Sequence, residues 1–396
     1  MIQRYTVLRA VRGIHTRDPF SGGVSAELAG AYGADAPEPR VDVADLGPKD
    51  IQSLGRDPEV VAIAPVMAVE LVKPFPVSAE QAAPSAWGIE AVGADRSPFN
   101  GSGVVVAVLD TGIDASHPAF QGVTLVQEDF SGDGLGDRDG HGTHCAGTLF
   151  GRDVNGTRIG VARGVTRALI GKVLGDDGNG SSDAVFRGIQ WALNGGAWVL
   201  SLSLNFNFTA TVKQLVEEGF PVDFATSIAL ERYRGNLRMF DALMKLVRAR
   251  AWFDGGAVVV AAAGNDSKRD VSPQYEIAAG IPAASEGVVS VGALAQGANG
   301  FTIADFSNTL PEISGPGVNV LSARAGGGLI AFNGTSQATP HVAGVAALWW
   351  QALQGASVPV KASNVVAKLL ATARTQGLFN PGVDIADRGV GIVTAP

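Results

Sequence analysis

The residues that could do chemistry stand far apart in the chain, each among small neighbours. Ser336 lies in residues 333–344, Asn-Gly-Thr-Ser-Gln-Ala-Thr-Pro-His-Val-Ala-Gly, where a small-residue loop runs into the apolar segment 342–350. The first N–H groups of a helix lack intrahelical partners and carry the positive end of its dipole, so an oxyanion formed beside Ser336 would meet donors already in place. Gly334 lets the backbone approach a substrate, and Pro340 is tolerated this close to the first turn. A serine alone reads as an ordinary helix start. As a nucleophile it needs a base and a group to orient that base. The histidine candidates are His141 and His144 in residues 139–147, Asp-Gly-His-Gly-Thr-His-Cys-Ala-Gly. The carboxylate candidates are Asp110 and Asp114 in residues 104–114, Val-Val-Val-Ala-Val-Leu-Asp-Thr-Gly-Ile-Asp.

These groups need a scaffold that converges them. Residues 104–109, 168–174, 198–204, 257–263 and 287–291 are near-continuous apolar runs, the pattern of parallel strands buried on both faces. Helical stretches fall between and around them at 141–150, 182–193 and 235–253. The pattern predicts an α/β fold, a mostly parallel sheet with helices on both faces, whose ligand site lies at the carboxyl ends of the strands. Asp110 stands at such an end. Residues 1–73 read as a separate small α+β unit. It has strands at 5–11, 40–43 and 60–63, a weak helix at 24–31, and a short helix opened by Gly47-Pro48 with Ile51 and Leu54 inward and Gly55 at its end. Residues 74–84, with three prolines among small residues, read as an exposed linker suited to cleavage.

In the order Asp, His, Ser, the three blocks resemble the signature blocks of the subtilisin-like serine peptidases, the subtilase family, over residues 85–396. The resemblance selects Asp110 over Asp114 and His141 over His144. It implies a serine endopeptidase in which Ser336 forms the acyl-enzyme, His141 is general base and then acid, Asp110 orients it, and Asn265 donates its amide to the oxyanion with help from Thr335. It further implies that a polypeptide substrate lies as an added strand between Leu174-Gly175 and Ser203-Leu204-Asn205, with Ala263, Gly264 and Gly280 around a roomy pocket of broad or apolar preference. Asn205 stands where the family usually has glycine, and Gln337 where it usually has methionine. The N-terminal unit resembles the family's prodomain, an intramolecular inhibitor whose tail lies in the cleft. No cofactor is expected for the chemistry. A structural Ca²⁺ is a candidate, with Asp129 and Asp133 in an acidic, glycine-rich loop as its ligands.

Composition bounds the rest. The chain has 396 residues, 46% hydrophobic and 17% charged, with 52 glycines, enough for one large core and a small accessory domain. A net charge of −8 argues against nucleic acid as a partner. The lone cysteine, Cys145, can form no intrachain disulfide and reads as a small packing residue. The apolar segments 255–264 and 342–350 fall short of the roughly 18 residues of a membrane span. Without an apolar signal segment near Met1 the expectation is a cytoplasmic monomer. Residues 206–232 form an insertion directly after a substrate-binding strand, either a wall of the cleft or a surface excursion. The helix after it presents a basic stripe that reads as a solvated face. Two rivals keep the fold: a disabled peptide-binding scaffold, and a ligase or cyclase in which an amine resolves the acyl-enzyme. An α/β-hydrolase esterase is disfavoured, because residues 334–338 lack the last glycine of a nucleophile elbow and the Asp, His, Ser order is wrong for it.

Overall fold

The structure, a computed structural model, describes residues 2–11, 38–77, 86–355, 359–376 and 378–396. The weak helix expected at 24–31 and most of the 74–84 linker lie outside them.

The central sheet is built from β-branched and small apolar residues that fill both of its faces. Strands Val105–Asp110, Arg167–Lys172, Val199–Leu202 and Val258–Ala262 lie side by side in parallel, flanked by Thr124–Asp129 on one side and Val289–Gly297 on the other. Ile313–Pro316 adds a further parallel pairing, and Gly300–Ile303 closes that edge as an antiparallel hairpin with Val289–Gly297. One face packs against helices His141–Phe150, Thr335–Gln354 and Ala362–Ala371. The opposite face packs against Ser182–Asn194 and Val222–Arg250. All four parallel strands at the centre run the same way, so their carboxyl ends share one rim, and Asp110 sits on it.

Among the described residues, Gln3–Val11, Glu38–Leu46 and Val60–Pro65 form a three-stranded antiparallel sheet with Gln3–Val11 in the middle, accompanied by the short helix Pro48–Leu54. Ile51 and Leu54 are only half-buried in that helix. The sheet rests on Ser182–Asn194 and Val222–Arg250. The Gln190 side chain accepts from the Val41 N–H at 2.8 Å, and the buried Asn236 amide donates to the Pro65 carbonyl at 2.9 Å.

Two expectations from the sequence need correction. The helix expected at 235–253 begins instead at Val222 and runs unbroken to Arg250, so the second half of the 206–232 insertion is its first turns. The remainder of the insertion is a second helix, Phe208–Glu217, whose N-cap Asn207 accepts from the Ala210 N–H at 2.7 Å. The two helices pack through Leu215, Ala225 and Ala229, so the insertion has a small core of its own. The run 198–204 is also not one strand. It breaks after Leu202, and Leu204–Phe206 leaves the central sheet for a separate three-stranded one.

Candidate active site

Asp110 ends its strand buried, and its Oδ1 lies 2.8 Å from Nδ1 of His141, the first residue of helix His141–Phe150. Strand and helix are tied together by Asp137. Its Oδ2 accepts from the Thr143 N–H at 2.8 Å and hydroxyl at 2.6 Å; its Oδ1 accepts from the Gly140 N–H at 2.8 Å and the Thr111 hydroxyl at 2.9 Å. The Thr111 oxygen in turn accepts from the Gly142 N–H at 2.9 Å. Helix N-terminal N–H groups are thus satisfied by the same groups that fix the end of the Asp110 strand. Sequence reasoning did not single out Asp137 or Thr111 for this part; an acidic residue a few positions ahead of a helix start is the signal that could have found Asp137. The two glycines at this crossing are required by contact. A Cβ on Gly142 would collide with the backbone of Gly112, and one on Gly112 with the carbonyl of Gly136.

Burial by itself pushes the His141 pKa down, but the adjoining Asp110 carboxylate more than reverses this, and the imidazole ends well above its ordinary value. Asp114 is not at this point: it caps the turn at Ser116 and accepts from the Gly326 N–H. His144 is also buried, with its Nε2 at 3.0 Å from the Val320 carbonyl and a pKa lowered to about 3 by desolvation. Cys145 is fully buried beneath the His141 ring, its sulfur 3.4 Å from the Ser336 carbonyl oxygen.

Ser336 is the second residue of helix Thr335–Gln354, one position into the expected helix start. Asn265, beyond strand Val258–Ala262, is clamped through its carbonyl oxygen by the Thr335 N–H at 2.9 Å and hydroxyl at 2.8 Å. That leaves the Asn265 NH₂ group free to donate to the chain that lies in the cleft.

The cleft holds part of the chain itself. Strand Ala68–Leu71 inserts antiparallel between Leu204–Phe206 and Asn179–Ser181, with Leu71 opposite Leu204, Glu70 opposite Asn205, and Val69 opposite both Phe206 and Gly180. The Val72 N–H donates to the Ser203 carbonyl at 3.3 Å. The Ser336 hydroxyl donates to the Val72 carbonyl at 3.0 Å, and the Asn265 amide to the Lys73 carbonyl at 3.0 Å. Beyond, Phe75–Pro76 pairs antiparallel with residues 332–333 of strand Leu329–Asn333. Ser203, Leu204 and Asn205 thus pair with one side of this segment. The other edge is corrected: Leu174 and Gly175 lie beneath it, the chain turns at residues 175–178, and the strand Asn179–Ser181 makes the pairing.

The pocket expected to be roomy is also built differently. Ala263 is fully buried, and the Gly264 N–H donates to the Thr335 hydroxyl, so neither offers open wall. A cavity of about 450 Å³ opens instead between Asn205, Gly280 and Asp266 on one side and Phe208, Leu230 and Tyr233 of the insertion on the other. The Asn205 side chain covers Gly280, where a Cβ would collide with it. The insertion thus walls the cleft.

The sequence profile described as the subtilase family matches residues 101–392. The chain belongs to the subtilase family. This subtilase is 34% identical over 311 residues to alkaline elastase YaB of Bacillus sp. (strain YaB), covering 77% of this chain and 67% of the relative. It is 32% identical over 313 residues to a thermostable alkaline protease of Halalkalibacterium halodurans, covering 77% and 71%. Over 309 residues it is 30% identical to subtilisin amylosacchariticus of Bacillus subtilis subsp. amylosacchariticus, covering 77% and 69%. It is a subtilisin-like serine endopeptidase.

The acidic loop gives this subtilase no obvious cation cage. The Asp129 carboxylate accepts from the N–H groups of Ser131, Gly132 and Gly134, and Asp133 from the Asp176 N–H at 2.9 Å. Among the described residues, three acidic, imidazole or thiol groups close enough to share an ion occur only as Asp110, His141 and Cys145, which is the site already described. No described helix is long and apolar enough to cross a membrane.

Proposed function

We propose that this subtilase cleaves polypeptides through an acyl-enzyme on Ser336, with His141 as general base and then acid, Asp110 as its orienting carboxylate, and the Asn265 amide and Ser336 N–H as oxyanion donors. The observation that carries this reading is the seated strand: the hydroxyl and the amide both reach main-chain carbonyls of a peptide held by strand pairing on either side. Main-chain pairing takes substrates of many sequences, and the pocket offers apolar walls in Phe208, Leu230 and Ile277 beside the Asp266 carboxylate, which supports a broad preference that includes apolar side chains. A serine-directed fluorophosphonate tests the assignment. Covalent labelling of the wild type, absent in Ser336→Ala, is expected; an unlabelled wild type would leave a peptide-binding scaffold as the reading. Added amine nucleophiles would divert product to ligation if the acyl-enzyme served a ligase.

We infer in addition that residues 1–73 are an intramolecular inhibitor. As seated, the strand is poorly placed to be cut. Acylation needs the serine oxygen at the carbon whose oxygen enters the oxyanion site, yet Ser336 meets the carbonyl of Val72 and Asn265 that of the next residue, Lys73. The bond that follows Lys73 joins it to Pro74. Intact mass of the wild type beside Ser336→Ala tests removal: a loss of roughly the first 75 to 85 residues in the wild type alone is expected from cleavage in the exposed linker, and an uncut wild type would make the unit a permanent module.

A further inference from the structure

Gln337, the residue after Ser336, is fully buried, and its side chain has one partner and one orphan. Its Nε2 lies 3.4 Å from Nε2 of His141, while its Oε1 is buried with no hydrogen-bond partner. With Nδ1 carrying the proton toward Asp110, Nε2 of neutral His141 is an acceptor, and an amide N–H is a suitable donor to it. That lone pair is the one a serine base must use. In this state it is not used so, because the Ser336 hydroxyl is turned to the Val72 carbonyl. The orphan Oε1 points to the side of Gly334 on which the Asn265 amide also lies: a Cβ built on Gly334 would meet both. A buried amide with an unsatisfied oxygen is unfavourable where an apolar side chain of the same length would fit without one.

We propose that Gln337 is a positioning residue of this peptidase: its amide donates to the Nε2 lone pair of neutral His141 in the resting site and gives up that place to the Ser336 hydroxyl during catalysis. When the Ser336 oxygen bonds the substrate carbonyl carbon, its proton passes to His141 Nε2. While the new Nε2–H is present, the Gln337 NH₂ group faces it as a second donor, so the amide favours the neutral ring over the imidazolium. The imidazolium proton goes on to the leaving amine, and the Nε2 lone pair is again open to the Gln337 amide. No proton enters or leaves Gln337. The proposal rests on the assignment of His141 as the base, but its readout does not.

The other groups that act on the imidazole are Asp110 from the sheet, Asp139 from the preceding loop, and Cys145 and His144 from its own helix. None is altered by changing Gln337, so the titration of His141 isolates the amide. The experiment is a ¹⁵N-histidine NMR titration of the full chain for wild type, Gln337→Met and Gln337→Glu, in a chain with only five histidines to assign. Loss of a donor that favours the neutral ring predicts an upward move of the His141 midpoint by about half a unit to one unit in Gln337→Met. In Gln337→Glu, which replaces the donor by a carboxylate acceptor, it predicts a larger upward move of about one unit or more. Midpoints within about 0.2 unit of wild type in both variants, or a downward move in Gln337→Met, would overturn the proposal. Fluorophosphonate labelling of the wild type is run in parallel. Its failure sinks the peptidase assignment and leaves the titration result standing, whereas labelled wild type with unmoved midpoints sinks the proposal alone.

Discussion

Asp110 holds the imidazole with one oxygen and leaves the other, Oδ2, buried without a hydrogen-bond partner. A carboxylate so placed has little besides His141⁺ to stabilise, which is why the His141 pKa stands above its ordinary value despite full burial. A base works only when neutral, so with His141 in that role activity is present above that raised pKa and is lost as pH falls through it. The acid limb of kcat/KM is therefore expected on the alkaline side of about 6.5. Asp110→Asn should lower kcat by about 10⁴-fold and move that limb toward acid, because the ring loses both its tautomer guide and its charge partner. Asn265→Ala should cost about 10²- to 10³-fold in kcat with little change in KM, the magnitude recorded for removing such a donor in subtilisin. Turnover of Asn265→Ala equal to wild type would take that amide out of the mechanism. The Asp, His and Ser blocks were legible in the sequence because each couples one reactive residue to obligatory small neighbours. The partners of Gln337 and Asp137 were not, since an amide or carboxylate in a loop gives no sign of which distant group it will meet.

At the scale of elements, the site depends on how closely a strand end and a helix start can cross. Gly142 leaves no room for a side chain above the Gly112 backbone, and nothing there is a flexible side chain that could give way. Gly142→Ala is expected to destabilise the protein by about 1–3 kcal/mol through overpacking. It should also reduce kcat by separating His141 from Asp110. Chemical denaturation and a spectrum of the His141 ring protons would check the two effects; a variant with wild-type stability and hydrogen bond would show that the crossing tolerates a methyl group. The buried parallel strands were predictable from continuous apolar runs, with ends off by one or two residues except at 287–291, where the strand runs on to Gly297. The short pairings were missed for a physical reason. Ala68–Leu71, Asn179–Ser181 and Phe75–Pro76 have too few residues to carry a period, and they are strands only because another segment lies alongside. The long helix Val222–Arg250 was underestimated at its N-terminus, where exposed Val222, Phe224 and Leu230 blur the apolar face that marks the rest.

For the whole molecule, the question is what keeps the N-terminal segment in the cleft. The three-stranded sheet of residues 3–65 is held to the helices behind the cleft by polar contacts such as Asn236 to Pro65 and a half-exposed Arg4–Asp183 pair. Exposed ion pairs contribute little. The apolar anchors are Leu8 and Ala64 of that sheet, both fully buried, and the cleft strand: Val69 and Leu71 are 1% and 4% exposed and join Met67 and Phe206 in the same core, which covers one face of the central sheet. Burying two such side chains stabilises the seated state by about 3–6 kcal/mol, enough to keep an uncut chain almost wholly occupied. Substituting Val69→Asp would place an unpaired charge in that core. Because Val69 belongs to the segment that leaves the cleft on release, where the charge would meet water, the cost falls on the seated state. If residues 1–73 act as an inhibitor, the intact Val69→Asp chain should hydrolyse a small chromogenic peptide at least about tenfold faster than the intact wild type, since 1.4 kcal/mol of weakened seating already gives a factor of ten. Equal rates for the two chains, each confirmed uncut by mass, would mean that the segment does not govern access to Ser336.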